Sequence, residues 1–228
     1  MALYAIGDTH LSLGSDKPMD VFGGEWADYV DKLRHGFEVV GPDDLVVLCG
    51  DISWGMSLDE ARDDLAFLDA LPGRKLLLKG NHDYWWTTAA KMLRFFNENG
   101  FHSFDILHNN CHFYRDFALC GTRGWFYEAD RGEHSAKIFR RELMRLETSL
   151  KAAGEREKYC FLHYPPICQD YCCEEIIELL EKYHVRCCCY GHLHGAGHRL
   201  AVVGVKGSVD FRLVSADYLG FQPEKIID

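Results

Sequence analysis

Short, nearly unbroken apolar runs alternate along the chain with longer stretches in which apolar residues recur every three or four positions. The runs "ALYAIG", "DLVVLCG" and "KLLLKG" read as strands buried on both faces, because a strand with one wet face would alternate apolar and polar residues. Between the first two, Trp26, Val30, Leu33, Phe37 and Val40 fall on one face of a helix predicted over residues 25–40 and stopped by Gly41-Pro42. Ser57 and Glu60 have the spacing of a capping box, which predicts a second helix with Leu58, Ala61, Leu65 and Leu68 inward, ending at Pro72-Gly73. A third helix is predicted over 88–98. The middle of the chain is less regular, but "DFALCG", "KYCFLHY" and "VRCCCYG" read as strands and 135–153 and 174–183 as helices. From 198 to 221 the pattern predicts antiparallel strands that close the sheet system. Such alternation of β and α elements predicts an α/β fold whose first half is largely parallel. No shift in composition divides residues 1–228, which are expected to form a single domain.

With 47% apolar and 26% charged residues the chain is ordinary globular protein rather than a disordered one. Its start, "MALYAIGD", has neither the basic segment nor the apolar length of a secretory signal, and no window approaches a membrane span. A cytoplasmic location without membrane association is the expectation. Ten cysteines do not change that picture. Most sit inside apparent strands, where Cys acts as a small apolar residue, and Cys187, Cys188 and Cys189 in succession must point to alternating faces. The cluster Cys168, Cys172 and Cys173 is the one candidate for redox or metal chemistry, set against packing or incidental thiols. The net charge of −10 weighs against a general nucleic-acid binder, since such affinity comes mostly from neutralising phosphates.

The strand ends are more informative. "YAIGD" delivers Asp8, with His10 two residues on; "VVLCGD" delivers Asp51; "LLKGNHD" delivers Asn81, His82 and Asp83. "CFLHY" delivers His163, and "CCYGHLH" delivers His192 and His194. In four of these five places a glycine separates the apolar run from the polar group and permits a sharp turn with close backbone approach. Ligands bind at the carboxyl ends of neighbouring parallel strands in open α/β sheets, so these residues are expected to converge on one patch. Imidazoles beside carboxylates suit divalent transition metals, and seven ligands are too many for one tetrahedral ion but fit two ions sharing a carboxylate. Two such ions polarise a phosphoryl oxygen and lower the pKa of a shared water. Charge agrees: +4 from two ions, less two from Asp8 and Asp51, leaves a cationic site that attracts phosphate esters. Asp8 and His10, two apart in an extended segment, are expected to point to the same side.

The set "GDTH", "GD", "GNHD", "HYPP" and "GHLH", in this order over residues 7–194, resembles the signature of the calcineurin-like metallophosphoesterases. Longer stretches, such as "GDISWGMSLDEARDDL", resemble a bacterial branch of predicted phosphohydrolases. The resemblance implies two β-sheets packed as a sandwich flanked by helices, in four αββα layers, with a dinuclear metal centre at one sheet edge. It implies that Asp8, His10 and His194 hold one metal, that Asn81, His163 and His192 hold the other, and that Asp51 bridges. His82 is then left as general acid or transition-state donor for the leaving oxygen, and Asp83 is expected to orient it.

Hydrolysis of phosphodiesters or phosphomonoesters by a metal-bridging hydroxide is the implied reaction, with a small phosphate ester as substrate. A nuclease, a nucleotide or lipid-linked pyrophosphate hydrolase and a non-catalytic docking module are the alternatives; the acidic charge disfavours the first. Mn²⁺ is the first choice of metal, ahead of iron or zinc. For the substrate, Arg123 in "CGTRGW" offers a bidentate fork at a strand end. Of Tyr84, Trp85 and Trp86, one or two are expected to pack beneath the next helix and another, Trp85, to wall the pocket; Trp54, just past Asp51, is expected there too. The segment 12–24 is read as a loop beside His10, with Lys17 and Phe22 as further candidates for substrate selection.

Overall fold

The computed structural model describes residues 1–17, 19–125 and 133–228. In chain order the first half runs β1 (Leu3–Ile6), α1 (Tyr29–Gly36), β2 (Leu45–Cys49), α2 (Arg62–Ala70), β3 (Arg74–Leu78), α3 (Ala89–Glu98) and β4 (Phe104–Leu107). The second half runs β5 (Cys111–Tyr114), β6 (Phe117–Thr122), α4 (Glu133–Ala152), β7 (Glu157–Leu162), the short pair β8 (Ile167–Cys168) and β9 (Tyr171–Cys172), then α5 (Glu174–Lys182) and β10 (Val185–Tyr190). It ends with β11 (Gly204–Lys206), β12 (Val209–Leu213) and β13 (Glu224–Ile227).

Two large sheets result, in the orders β13-β1-β2-β3-β4 and β11-β12-β10-β7-β6-β5. The strands β1 to β4 run parallel to one another, as do β6, β7, β10 and β12. Leu3, Ala5, Val47, Cys49, Leu76 and Leu78 of the first sheet pack against Leu119, Tyr159, Phe161, Cys187 and Cys189 of the second. On the opposite face of the first sheet, Ile6, Val46, Leu48 and Leu77 meet Leu33, Leu65, Leu68, Met92 and Phe96 from α1 to α3. The second sheet turns Cys120, Cys160, Cys188 and Tyr190 to Leu146, Leu150, Ile176 and Leu180 of α4 and α5. This is the expected four-layer sandwich. Strands with apolar partners on both sides account for the unbroken runs. The triple cysteine follows the pleat: Cys187 and Cys189 lie between the sheets and Cys188 under the helices.

Several element boundaries differ from the expectations. Trp26 belongs to a 3-10 turn (Gly24–Trp26) and not to α1, which begins after Asp28 in a left-handed conformation. Half of the Ser57–Glu60 box forms, the Glu60 N–H on Ser57 Oγ, while Glu60 Oε2 accepts from the Met56 N–H and not from Ser57; it caps a turn that leads into α2 at Arg62. The predicted antiparallel strands of 198–221 are only partly present. Residues 195–200 form a 3-10 turn, β11 and β12 form an antiparallel hairpin, and β12 joins β10 in parallel. The strand that closes the first sheet is β13, antiparallel to β1 and beyond the predicted range. Cys168 and Cys172 face each other's strands in the small β8–β9 ribbon; all ten cysteines are free, and no metal-capable group among the described residues includes one. Among the described residues no helix is long and apolar enough to cross a membrane.

A charged side chain also lies deep within a strand. Lys75 of β3 is fully buried, and its ammonium donates to the Leu71 carbonyl. Burial pushes its pKa down to about 8 from 10.5, against the opposing pull of Asp69. The unfolded chain therefore binds more protons between these values, so this residue's contribution to stability rises with pH through that window. Lys75→Met is expected to be about 1–4 kcal/mol more stable than the parent near pH 7, the range for replacing a buried ionic group by a well-packed apolar one. Denaturant unfolding at pH 7 and pH 10 checks this: the gain should shrink at the higher pH, and a variant less stable at pH 7 would show that the ammonium is stabilising.

Candidate metal centre and active site

The predicted residues gather at the carboxyl edges of five strands drawn from both sheets. Asp8 follows β1, Asp51 follows β2, Asn81 follows β3, His163 follows β7, and His192 and His194 follow β10. Two groups of ligand atoms form, Asp8 with His10 and His194, and Asp51 with His163 and His192; within each group the atoms lie within 4.8 Å of one another. Asn81 joins the second group, with Oδ1 2.6 Å from His163 Nε2. Asp51 reaches both: its Oδ2 is 3.4 Å from His163 Nε2 and 3.8 Å from His10 Nε2.

The local backbone explains why glycines precede these residues. A Cβ on Gly80 would stand 2.1 Å from both the Asp51 nitrogen and Asp51 Oδ1, and one on Gly191 would stand 2.2 Å from Asp8 Oδ2. These two loops can approach the carboxylates only without a side chain. Asp8, His10, Asp51 and His192 themselves adopt positive φ (57°, 44°, 49° and 73°), a costly conformation for non-glycine residues that clusters at functional sites. Asp8 and His10 therefore converge through left-handed turns and not through the alternation of an extended strand.

Hydrogen bonds set the histidine tautomers so that lone pairs face inward. His163 Nδ1 lies 3.1 Å from the Cys49 carbonyl, an acceptor, so Nδ1 carries the proton and Nε2 turns its lone pair on Asn81 Oδ1. His194 Nδ1 lies 2.9 Å from Asp217 Oδ1, which directs His194 Nε2 at His10 Nε2 (3.2 Å) and Asp8 Oδ1 (3.4 Å). Acceptors pointing at acceptors at these separations are what a cation completes. The titration behaviour agrees. Burial, and then the neighbouring Asp8, push the Asp51 carboxyl up to about 8. Burial lowers His10 to about 3 and His192 to about 4. Burial also opposes charge on His194, yet Asp8 and Asp217 outweigh it and raise the imidazole to about 10, a proton standing where a cation would. The donor set fits two divalent ions.

Two expected roles are corrected. Asp83 does not touch His82: its carboxylate accepts the N–H groups of Asp51 (2.9 Å), Ile52 (2.8 Å), Ser53 (3.3 Å) and Gly80 (2.7 Å), and the Trp85 indole N–H (2.9 Å). It clamps the loop after β2 to the loop after β3, while among the described residues His82 Nδ1 has no hydrogen-bond partner. Trp85 does not wall the pocket; it is buried under α3 beside Trp86. The cavity over the ligands, about 360 Å³, is lined by His10, Asp51, His82 and His194 together with Trp54, Trp26 and Met19. Trp54 is placed as expected, stacked on His10 at 4.9 Å and 4.6 Å from His82, with Lys17 Nζ 5.0 Å from its ring. The segment 12–24 is not all loop, since Met19–Phe22 is a 3-10 turn; the side chain of Phe22 lies outside the described residues. Arg123 follows β6, one strand beyond His163, and does not line this cavity.

The family model for calcineurin-like phosphoesterases matches residues 1–196. The chain belongs to that family. No curated protein matches it by sequence. Among solved structures, the phosphopantetheinyl hydrolase PptH of Mycobacterium tuberculosis is similar at 14% identity and a TM-score of 0.61, with 99% of this chain and 95% of that one covered. A protein of Thermus thermophilus is similar at 12% identity and a TM-score of 0.50, with 99% and 97% covered. At these identities the likeness is one of fold.

Sequence reading missed residues outside the family motifs. The chain crosses from β12 back to the first sheet, pairing Ser215 with Gly7. That crossing puts Ser215 Oγ on Asp8 Oδ2 (3.0 Å) and Asp217 on His194 and the Gly195 N–H (3.0 Å). The signal was a sixth polar strand end, "RLVSAD", without the glycine that marked most of the others. A carboxylate behind a ligating histidine fixes its ring and raises its basicity. Asp217→Asn is expected to lower metal affinity about 10- to 100-fold. Titration of metal-free protein with Mn²⁺ measures it, and an unchanged Kd would mean that His194 needs no such support.

Proposed function

We propose that the protein hydrolyses small phosphate monoesters or diesters with two divalent cations held side by side at the carboxyl edge of its sheets. Family membership and the two His/Asp groups make it a metal-dependent phosphoesterase in the broad sense. The observation that carries the finer reading is the pair of facing lone-pair sets, joined by Asp51, on the floor of the cavity. Asp8, His10 and His194 would hold one ion, Asn81, His163 and His192 the other, and Asp51 both. When bound, the ions supply Lewis acidity at the phosphoryl group and lower the pKa of water toward neutral. Mn²⁺ is the first candidate, with iron and zinc compatible with the same ligands.

The chain's own residues do the rest. His82 stands at the cavity wall with its backbone N–H anchored on Asp51 Oδ1 (2.7 Å), which leaves its imidazole to donate a proton to the departing oxygen. Asp83 holds both loops in register, so Asp51 and His82 keep a constant separation. Trp54, Trp26 and Met19 give the organic part of the substrate an apolar wall and keep water from it. The test is hydrolysis of bis(p-nitrophenyl) phosphate and p-nitrophenyl phosphate with Mn²⁺. Turnover is expected with metal, to vanish on chelation and to return on re-addition. Metal-loaded protein inactive on both, and on a panel of natural phosphate esters, would overturn the reading.

A further inference from the structure

The rows of strand ends continue past the metal centre. In the first sheet β4 lies outside β3, in the second β6 lies outside β7, and β4 and β6 pack against each other. At and beside the carboxyl ends of these outer strands stand two basic side chains and a histidine that burial and the neighbouring positive charges keep neutral. Lys79 closes β3 just before Gly80 and Asn81, His108 follows β4, and Arg123 follows β6. Arg145 reaches the same place from α4, and the charges of Arg145, Lys79 and Arg123 all act on His108. All four side chains are half-buried.

Among the described residues Glu142 is the carboxylate paired within this patch. Glu142, almost fully buried, accepts from Thr122 Oγ1 (2.9 Å) and pairs with Arg145. Among the described residues Lys79 and Arg123 make no side-chain hydrogen bond or ion pair. Arg123 instead lies against two aromatic rings, 5.8 Å from the centroid of Trp125 and 5.9 Å from that of Tyr164. The Trp125 indole N–H is buried and has no acceptor among the described residues. A half-buried surplus of cations beside an unmet N–H donor is a costly arrangement unless an anion is to be received. Tyr164 ties the patch to the metal centre, since its ring packs edge-on against His163 and His192 at 5.2 and 4.6 Å.

We infer that Lys79, Arg123 and the Trp125 N–H form a second anion subsite, which takes a further phosphate group on a substrate whose scissile phosphate lies at the metal centre. The inference rests on the phosphoesterase reading above. Neighbouring strands are about 4.8 Å apart, so the two phosphates are separated by roughly one to two strand spacings. The substrate class is therefore a bisphosphorylated small molecule. Arg123 supplies the bidentate fork, with its plane set by the two rings, and Lys79 supplies a point charge.

Non-hydrolysable ligands test this without turnover. Calorimetric titration of the Mn²⁺-loaded protein compares a short series of straight-chain α,ω-bisphosphonates with the matching monophosphonate. The best bisphosphonate is expected to bind about tenfold more tightly or better, the scale of one charge-assisted contact. In Arg123→Ala that ratio should fall toward one, and Arg123→Lys should restore part of it. Equal affinities for both ligand types, or a preference that survives in Arg123→Ala, would overturn the subsite and leave the metal-centred reading standing. No binding of either ligand by metal-loaded protein would remove both.

Discussion

Asp51→Asn is expected to lower kcat/KM for any phosphate ester on the order of 10³-fold or more, above the loss of a single preorganised transition-state contact. Asp51 Oδ2 approaches the Nε2 atoms of both ligand groups, at 3.4 Å from His163 and 3.8 Å from His10, whereas Asp8 nears His163 on its Nδ1 side (3.8 Å). The other oxygen of Asp51 holds the His82 backbone N–H at 2.7 Å. The amide keeps the shape and one acceptor but removes the negative charge that offsets two cations. Metal content is therefore expected to fall from two ions per chain, as measured by elemental analysis after gel filtration. Retention of both ions with unchanged kcat/KM would show that Asp51 is not shared. Steric substitution through Gly80 offers an independent check, because a Cβ there would stand 2.1 Å from Asp51 Oδ1 and displace it.

His82→Gln is expected to reduce kcat by about 10²- to 10⁴-fold, the usual range for a positioned acid or base, while both metals remain bound. His82 lies outside both ligand groups yet lines the same cavity, between Trp54 at 4.6 Å and Tyr84 at 6.1 Å. The loss should depend on the leaving group. An alkoxide needs a proton as it departs and p-nitrophenolate does not, so alkyl esters should suffer more than nitrophenyl esters. An equal loss for both would place His82 on the phosphoryl oxygens instead of on the leaving oxygen. An unaltered kcat would remove it from the reaction.

The strands were legible because burial on both faces leaves no polar positions within "LVVLC", "KLLLK" or "RCCCY" apart from strand-end charges and Lys75. The candidate metal ligands were legible because glycine repeatedly announced the end of a strand and a short menu of side chains followed it. Asp83 was misread for a physical reason. A carboxylate next to a histidine in sequence need not touch it, and here five N–H donors from two loops and a tryptophan claim its oxygens. Trp85 was misread because an aromatic residue beside a catalytic loop serves core or cavity equally well, and only packing against α3 and Trp86 decides.

By itself the sequence determined the alternation of β and α elements, the carboxyl edge as the site and the candidate ligands from Asp8 to His194, since these depend on periodicity and on residue type at strand ends; the four-layer order was implied by the family resemblance. Tertiary structure alone decided how the tautomers turn their lone pairs inward and that Asp217 and Ser215 support His194 and Asp8, while the grouping of the candidate ligands that the family resemblance implied is the one the fold brings together. It also decided that Lys79, His108 and Arg123 share one patch, although they belong to three strands in two sheets. Contacts of that kind are set by how two sheets are stacked and in what order their strands pair, and no local pattern of residues encodes either.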